Sequence, residues 1–205
     1  MKKIGVLVSG GGTNLQALID AQGSVLKSGE IVTVVSNKEG VYALERAKKA
    51  GIDAHVITRK ECGSKEAFDI ALRDYMKSMG VEVVVLAGFL AILGENFLSA
   101  YKDKIVNIHP SLIPSFCGEG YYGLRVHEEV LKYGCKVTGA TVHFVNEIPD
   151  GGRIIYQKAV DVAEGDTPEE LQQRVMREAE WILLPRAAEY VSKEILKTRE
   201  DICNG

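Results

Sequence analysis

The sequence has no C-x-x-C pair. Its four cysteines, Cys62, Cys117, Cys135 and Cys203, stand far apart. Such spacing excludes a disulfide framework and a thiolate zinc site, and reads as reduced thiols in a cytoplasmic protein. No apolar run reaches the ~18–20 residues that cross a bilayer, so no membrane partner is expected. A charged opening, an apolar stretch and a small-residue cleavage site are also missing, which argues against secretion. Positive charge is not in excess: 25 Lys and Arg face 28 Asp and Glu, a net −3. Nucleic-acid binders draw affinity from replacing phosphate counterions with Lys and Arg, so no nucleic-acid partner is expected. No two of the four histidines have metal-ligand spacing, so no metal is expected.

What is present is an ordinary core-forming chain, 205 residues with 46% hydrophobic and 26% charged, enough for a single domain over 1–205. There is no internal repeat, and Pro and Gly cluster only in short loops. The first half, to about residue 100, alternates apolar strands with helical patterns. Ile4–Val8 is a strand leading into a Gly-rich turn and a helix from about Asn14 to Ala21. Ile31–Val35 is a second strand, followed by a helical stretch over Tyr42–Ala50. His55–Ile57 is a short strand and Ser64–Met79 a long amphipathic helix. Val83–Leu86 is a continuous apolar run, as a strand covered on both faces requires. This alternation predicts a mostly parallel open sheet with helices on both faces and right-handed crossovers.

From about residue 101 the pattern changes. Ile105–Ile108 reads as one more strand. Thr138–Phe144 and Arg153–Val160 follow each other with no helix between them, so antiparallel strands are added in the C-terminal part. A last helix starts at Thr167, with Pro168 in its first turn and Glu170 completing a capping box. It is expected to run to about Lys197, kinked at Pro185, with a frayed tail beyond.

Ser9-Gly10-Gly11-Gly12-Thr13-Asn14 joins the first strand to the first helix. Glycines admit close approach of an anion, and a helix N-terminus offers free N–H groups and a positive dipole end. The same residues also suit a tight strand-to-helix turn and nothing more. No lysine stands where a P-loop needs one. Leu15 replaces the third glycine of a dinucleotide fingerprint, and Ser36-Asn37 replaces its acidic residue. What remains is a site for a single phosphate or phosphorylated sugar.

Asn107-Ile108-His109-Pro110 closes the strand at Ile105. Two polar residues two apart share one face, at the carboxyl end where open α/β sheets bind their ligands. Asn107 offers an N–H donor to a developing oxyanion, and His109 a general acid or base near neutral pH. An isolated N-x-H also serves as a turn cap beside a satisfied histidine. His55 and His143 lie on strands without a polar companion at matching spacing, and His127 starts a short helix, so these three read as structural. Asn146–Gly152 is a polar loop between the two late strands. Beyond shaping that loop, a carboxylate at Asp150 can orient His109 and favour its cation, raising the histidine pKa.

Taken together, Asn107–Pro114, Thr141–Val145 and Asp150-Gly151-Gly152 resemble the folate-dependent formyltransferases. Ser9–Leu18 and Leu86-Ala87-Gly88-Phe89 are similar to the branch of that family that works in purine synthesis. The resemblance runs from about residue 3 to 190. It implies a nucleotide-binding-like sheet and a folate cleft, and transfer of a formyl group from 10-formyltetrahydrofolate to the amine of glycinamide ribonucleotide. It implies Asn107, His109 and Asp150 as the catalytic group. Gly12, Thr13 and Asn14 would hold the substrate phosphate, and Glu180 would face its amine. Lys65, Leu90, Ala91, Ile92, Leu93, Asn107 and the loop 146–150 would border the folate. A monomer or homodimer is expected.

The chain departs from the family pattern at Ala91, where arginine is common, and at Arg125 and Trp181, where histidine is common. Its segment Ser115–Gly123 is also longer than usual. A deformylase relative shares the Asn–His–Asp group but carries an N-terminal regulatory domain, for which a first strand at Lys3 leaves no room. Formylation of initiator methionyl-tRNA would need a further RNA-contacting domain. A non-catalytic phosphosugar-binding module would leave Asn107, His109 and Asp150 unexplained.

Overall fold

The structure is a computed structural model that describes residues 1–203, with side chains to 197. Seven strands, β1 (Lys2–Val8), β2 (Gly29–Ser36), β3 (Asp53–Val56), β4 (Val83–Leu86), β5 (Ile105–His109), β6 (Val137–Phe144) and β7 (Ile154–Asp161), form one sheet in the order β3-β2-β1-β4-β5-β6-β7. The five strands from β3 to β5 pair in parallel, and β6 and β7 are antiparallel additions.

The apolar runs serve two faces at once. Ile4, Val6 and Val8 of β1, with Val83 and Val85 of β4, face one buried cluster. Leu7, Val84 and Leu86 face the other. Successive side chains on a strand alternate between faces, so a centre covered on both sides must be apolar at every position. The first cluster is closed by α1 (Thr13–Ala21), α2 (Tyr42–Lys49), α6 (Leu124–Tyr133), α7 (Pro168–Val175) and α8 (Trp181–Cys203). The second is closed by α4 (Lys65–Ser78) and α5 (Glu95–Ala100).

The chain steps outward from β1 to β2 and β3, then returns to β4 on the other side of β1. The connections leaving β1 and β4 therefore diverge, and a crevice opens at their carboxyl ends.

Several local expectations need correction. The strand expected at His55–Ile57 covers Asp53–Val56, and two short helices, α3 (Arg59–Cys62) and α5, stand where only loops were read. His127 does not start a helix. It lies within α6 and is fully buried. The last helical stretch begins as expected, with the Thr167–Glu170 capping box. Its irregularity, however, is a π-turn over Met176–Glu180, upstream of Pro185. Pro185 stands inside α8, where it supplies no N–H for the carbonyl four residues back. The helix continues to Cys203 instead of fraying after Lys197, and residues 204 and 205 lie outside the described residues.

Candidate active site

The antiparallel register of β5 and β6 sets Asn107 opposite His143 and His109 opposite Thr141. The strand exit is anchored: the Thr141 hydroxyl donates to the Ser111 carbonyl at 2.7 Å and accepts from the Ile113 N–H at 3.1 Å. The loop between β6 and β7 folds back over this end. Gly152 permits the fold, since a Cβ there would meet the Phe144 carbonyl oxygen at 1.7 Å. Asp150, in a left-handed conformation with φ of 54°, then projects onto the two β5 residues.

Its carboxylate is the hub. One oxygen lies 3.4 Å from His109 Nδ1 and accepts the Gly118 N–H at 2.9 Å. The other lies 3.5 Å from both Asn107 Nδ2 and His143 Nε2. His143 was not foreseen here. Its Nδ1 lies 2.8 Å from the Phe144 carbonyl, which places a proton on Nδ1, and its Nε2 stands 3.2 Å from Asn107 Nδ2 and 3.5 Å from the Asp150 carboxylate. The reading that His143 has no polar companion is therefore corrected, and His143 lines the cleft that these groups border. Its polar companion is across the strand pair, where spacing along one strand does not show it. His55 instead stacks on Tyr75, with centroids 4.4 Å apart.

Burial draws the His109 pKa below its ordinary value, assisted by His143, and this outweighs the upward pull of Asp150 and of the Phe116 carbonyl. The expected net rise is thus corrected: Asp150 acts in the stated direction, but a residue only 4% exposed loses more by desolvation. Phe116 O sits 2.9 Å from His109 Nε2, so both ring nitrogens face acceptors. For Asp150 burial pushes upward, yet His143, His109 and the Gly118 N–H together bring the carboxyl below its usual range.

These groups border a cleft of ≈ 480 Å³ that also reaches the Gly-rich turn, the Ala87–Leu93 segment, the loop 145–150 and Glu180. No lysine or arginine is among the described residues lining it. Gly12, Thr13, Asn14, Leu90, Ala91, Ile92 and Leu93 line it. Lys65 does not: it stands exposed in the first turn of α4. At the end beside the Gly-rich turn, Asn14 Nδ2 donates to Glu180 Oε2 at 2.6 Å, and Asn14 Oδ1 is buried without a partner. Burial lifts the Glu180 pKa to about 7, against the pull of Asn14. Glu180 belongs to the π-turn, a distortion that often marks functional sites. Across the cleft, Leu90, Ile92 and Ile148 are exposed apolar side chains, a rim suited to a flat, partly apolar ligand. Of the positions that depart from the family pattern, Arg125 is exposed and outside the cleft, and Trp181 buries its Nε1 without a partner.

The family model for formyl transferase matches residues 2–188. A phosphoribosylglycinamide formyltransferase of Haemophilus influenzae is 40% identical over 98% of the chain and 92% of its own length. The trifunctional purine biosynthetic protein adenosine-3 of Gallus gallus is 46% identical over 97% of the chain, which spans only 19% of that longer protein. Among solved structures, glycinamide ribonucleotide transformylase 1 of Symbiobacterium toebii superposes with a TM-score of 0.89 at 41% identity, covering 95% of this chain and 89% of its own.

Proposed function

Because the chain belongs to the formyl transferase family, we propose that it moves the formyl group of 10-formyltetrahydrofolate to the amine of glycinamide ribonucleotide, a step of purine biosynthesis. The observation that carries this reading is one cleft joining a Gly-rich helix start, a buried carboxyl and an Asn–His–Asp cluster. A hydrolase needs only the last of these. Glu180 and Asn14 have the chemistry to seat an amine beside a phosphosugar, whereas a water nucleophile has no use for either.

In this reading the apolar rim of Leu90, Ile92 and Ile148 packs the pteridine side of the folate, and the Ala87–Leu93 segment that lines the cleft meets its polar edge. Ala91 supplies no arginine there, so packing and backbone contacts hold the folate. The ribonucleotide phosphate lies on the N–H groups of Gly12, Thr13 and their neighbours, with the α1 dipole behind them. Glu180 accepts from the substrate amine and steers its lone pair toward the formyl carbon.

As the carbon becomes tetrahedral, Asn107 donates to the oxyanion through an Nδ2–H whose present contact with Asp150, at 3.5 Å, is long and readily exchanged. His143 holds the amide in that orientation. Asp150 stabilises the His109 imidazolium and aims it. His109 must release the Phe116 carbonyl to reach the reacting atoms, so the segment 115–118 shifts when substrate enters. The proton lost by the amine goes to the departing folate nitrogen.

The whole chain acts as one domain, as a monomer or homodimer in the cytoplasm, where Cys62, Cys117 and Cys135 stand as free thiols. The test mixes protein, glycinamide ribonucleotide and a 10-formyl folate, and measures formylated amide separately from free formate. Stoichiometric formylated product is expected. Formate in its place would make the protein a deformylase.

A further inference from the structure

An anion seated on a backbone turn needs N–H groups facing it and carbonyl oxygens facing away. The Gly-rich turn has three carbonyls to dispose of, and each has a different partner. The Gly10 oxygen accepts the N–H of Ala43 at 3.2 Å, and the Gly12 oxygen accepts that of Gln16 at 2.9 Å. The Gly11 oxygen accepts from Arg46 Nε at 2.8 Å. Two of the three anchors are backbone groups. The third is a side chain, and so a point where one substitution changes the geometry.

In a planar trans peptide the C=O of one residue and the N–H of the next point in opposite directions. Holding the Gly11 carbonyl toward α2 therefore aims the Gly12 N–H the other way, and Gly12 lines the cleft. The Gly11 and Gly12 N–H groups make no hydrogen bond among the described residues. Asn14, only 7% exposed, lines the same end with its Oδ1 unpartnered, a second sign of a ligand site there. Arg46 is itself held in place: Nη1 donates to Gln16 Oε1 at 3.0 Å, and the guanidinium lies 4.9 Å from the Tyr42 ring centre. It does not line the cleft.

We propose that Arg46 is a positioning residue for the substrate phosphate, turning the Gly11 carbonyl away and presenting the Gly12 N–H without touching the ligand. Its cationic group also stands behind a turn whose cleft has no lysine or arginine of its own. The inference rests on the reading of the Gly-rich turn as the phosphate seat, and its test keeps the two apart.

Steady-state constants are measured with glycinamide ribonucleotide and with the corresponding ribonucleoside, which lacks the phosphate, for wild type, Arg46→Met, Arg46→Lys and Gly11→Val. Arg46→Met should raise KM for the ribonucleotide about tenfold, the scale of one charge-assisted contact. Turnover and folate KM should stay within about twofold, and the ribonucleoside kinetics should not change. Arg46→Lys, which keeps the charge and one donor, should recover part of the loss. An equal rise for both substrates, or no rise for either, overturns the role of Arg46. If Gly11→Val discriminates between the substrates and Arg46→Met does not, only this inference falls. If neither variant discriminates and wild type treats both substrates alike, the phosphate seat lies elsewhere and both readings fall.

Discussion

At the scale of single residues, the site works through competition between burial and contact. Asn107 is the least replaceable member in this reading, because its amide serves His143, Asp150 and the oxyanion in turn. Asn107→Ala should lower kcat by roughly 10²–10³, the usual cost of one oxyanion donor, with KM little changed. Near-normal turnover would remove Asn107 from the chemistry. Asp150 raises the pKa of His109 while burial lowers it further. Asp150→Asn should therefore shift the alkaline limb of kcat/KM, which reports the free enzyme, to lower pH and reduce the maximum. An unmoved limb at wild-type rate would leave Asp150 only its loop. Asn107 and His109 were legible because a strand end displays two same-face polar residues in its own sequence. His143 was not, since its link to Asn107 depends on which strand pairs with β5 and in what register. The sign of the His109 shift escaped for a related reason: burial is a property of the packed molecule.

At the scale of elements, the Gly-rich turn proves to be two features in three residues. Gly12 has a φ of 74°, and a Cβ there would meet Ala43 Cβ at 2.7 Å and Ala43 Cα at 2.8 Å. Gly11 has open space around the same position. Gly12→Ala should cost about 2–3 kcal/mol, combining a left-handed non-glycine residue with a clash against helix backbone. Gly11→Ala should stay within about 0.5 kcal/mol and change mainly ribonucleotide KM. Chemical denaturation of both variants checks this, and equal losses would show that the whole turn is a packing device. β1, β2, β4, β5 and β6 and the helices α1, α2 and α4 could be read from their patterns because each buries a full face. The short helices α3 and α5 have too few turns to show a period. Even so, α3 carries a complete Thr58–Glu61 capping box that was available in the sequence. The π-turn at Met176–Glu180 leaves no such local mark. Proline drew the expected irregularity to position 185, whereas the wider turn puts Glu180 against Asn14.

At the scale of the whole molecule, two buried groups tie stability to pH in opposite senses. Burial, with a smaller push from His109, brings His127 down from 6.5 to about 4. Its contribution to stability is full above the unfolded value near 6.5 and is lost as pH falls toward 4. Glu180 is lifted from 4.5 to about 7, so its contribution is full below 4.5 and is lost as pH rises through 7. Between about 4.5 and 6.5 the two slopes, each about 1.4 kcal/mol per pH unit, oppose one another. Relative to wild type, Glu180→Gln should lose stability on acidification across this window, and His127→Gln should gain it. Urea unfolding at closely spaced pH values resolves both, and parallel curves for all three proteins would refute the assignment.

The hydrogen bond from Asn14 to Glu180 joins positions 166 apart in the chain. Translation proceeds at about 5–20 residues per second, so roughly ten to thirty seconds separate the synthesis of the two partners. Throughout that interval the Gly-rich turn and the strands beside it can already be on the growing polypeptide, while the buried carboxyl that completes the cleft is still unmade. A ribosome-bound nascent chain therefore has no complete cleft until the segment around Glu180 has emerged. A ligand that spans the turn and Glu180 can meet its site only after both have been made, when it becomes a clamp on the docking of the later segment.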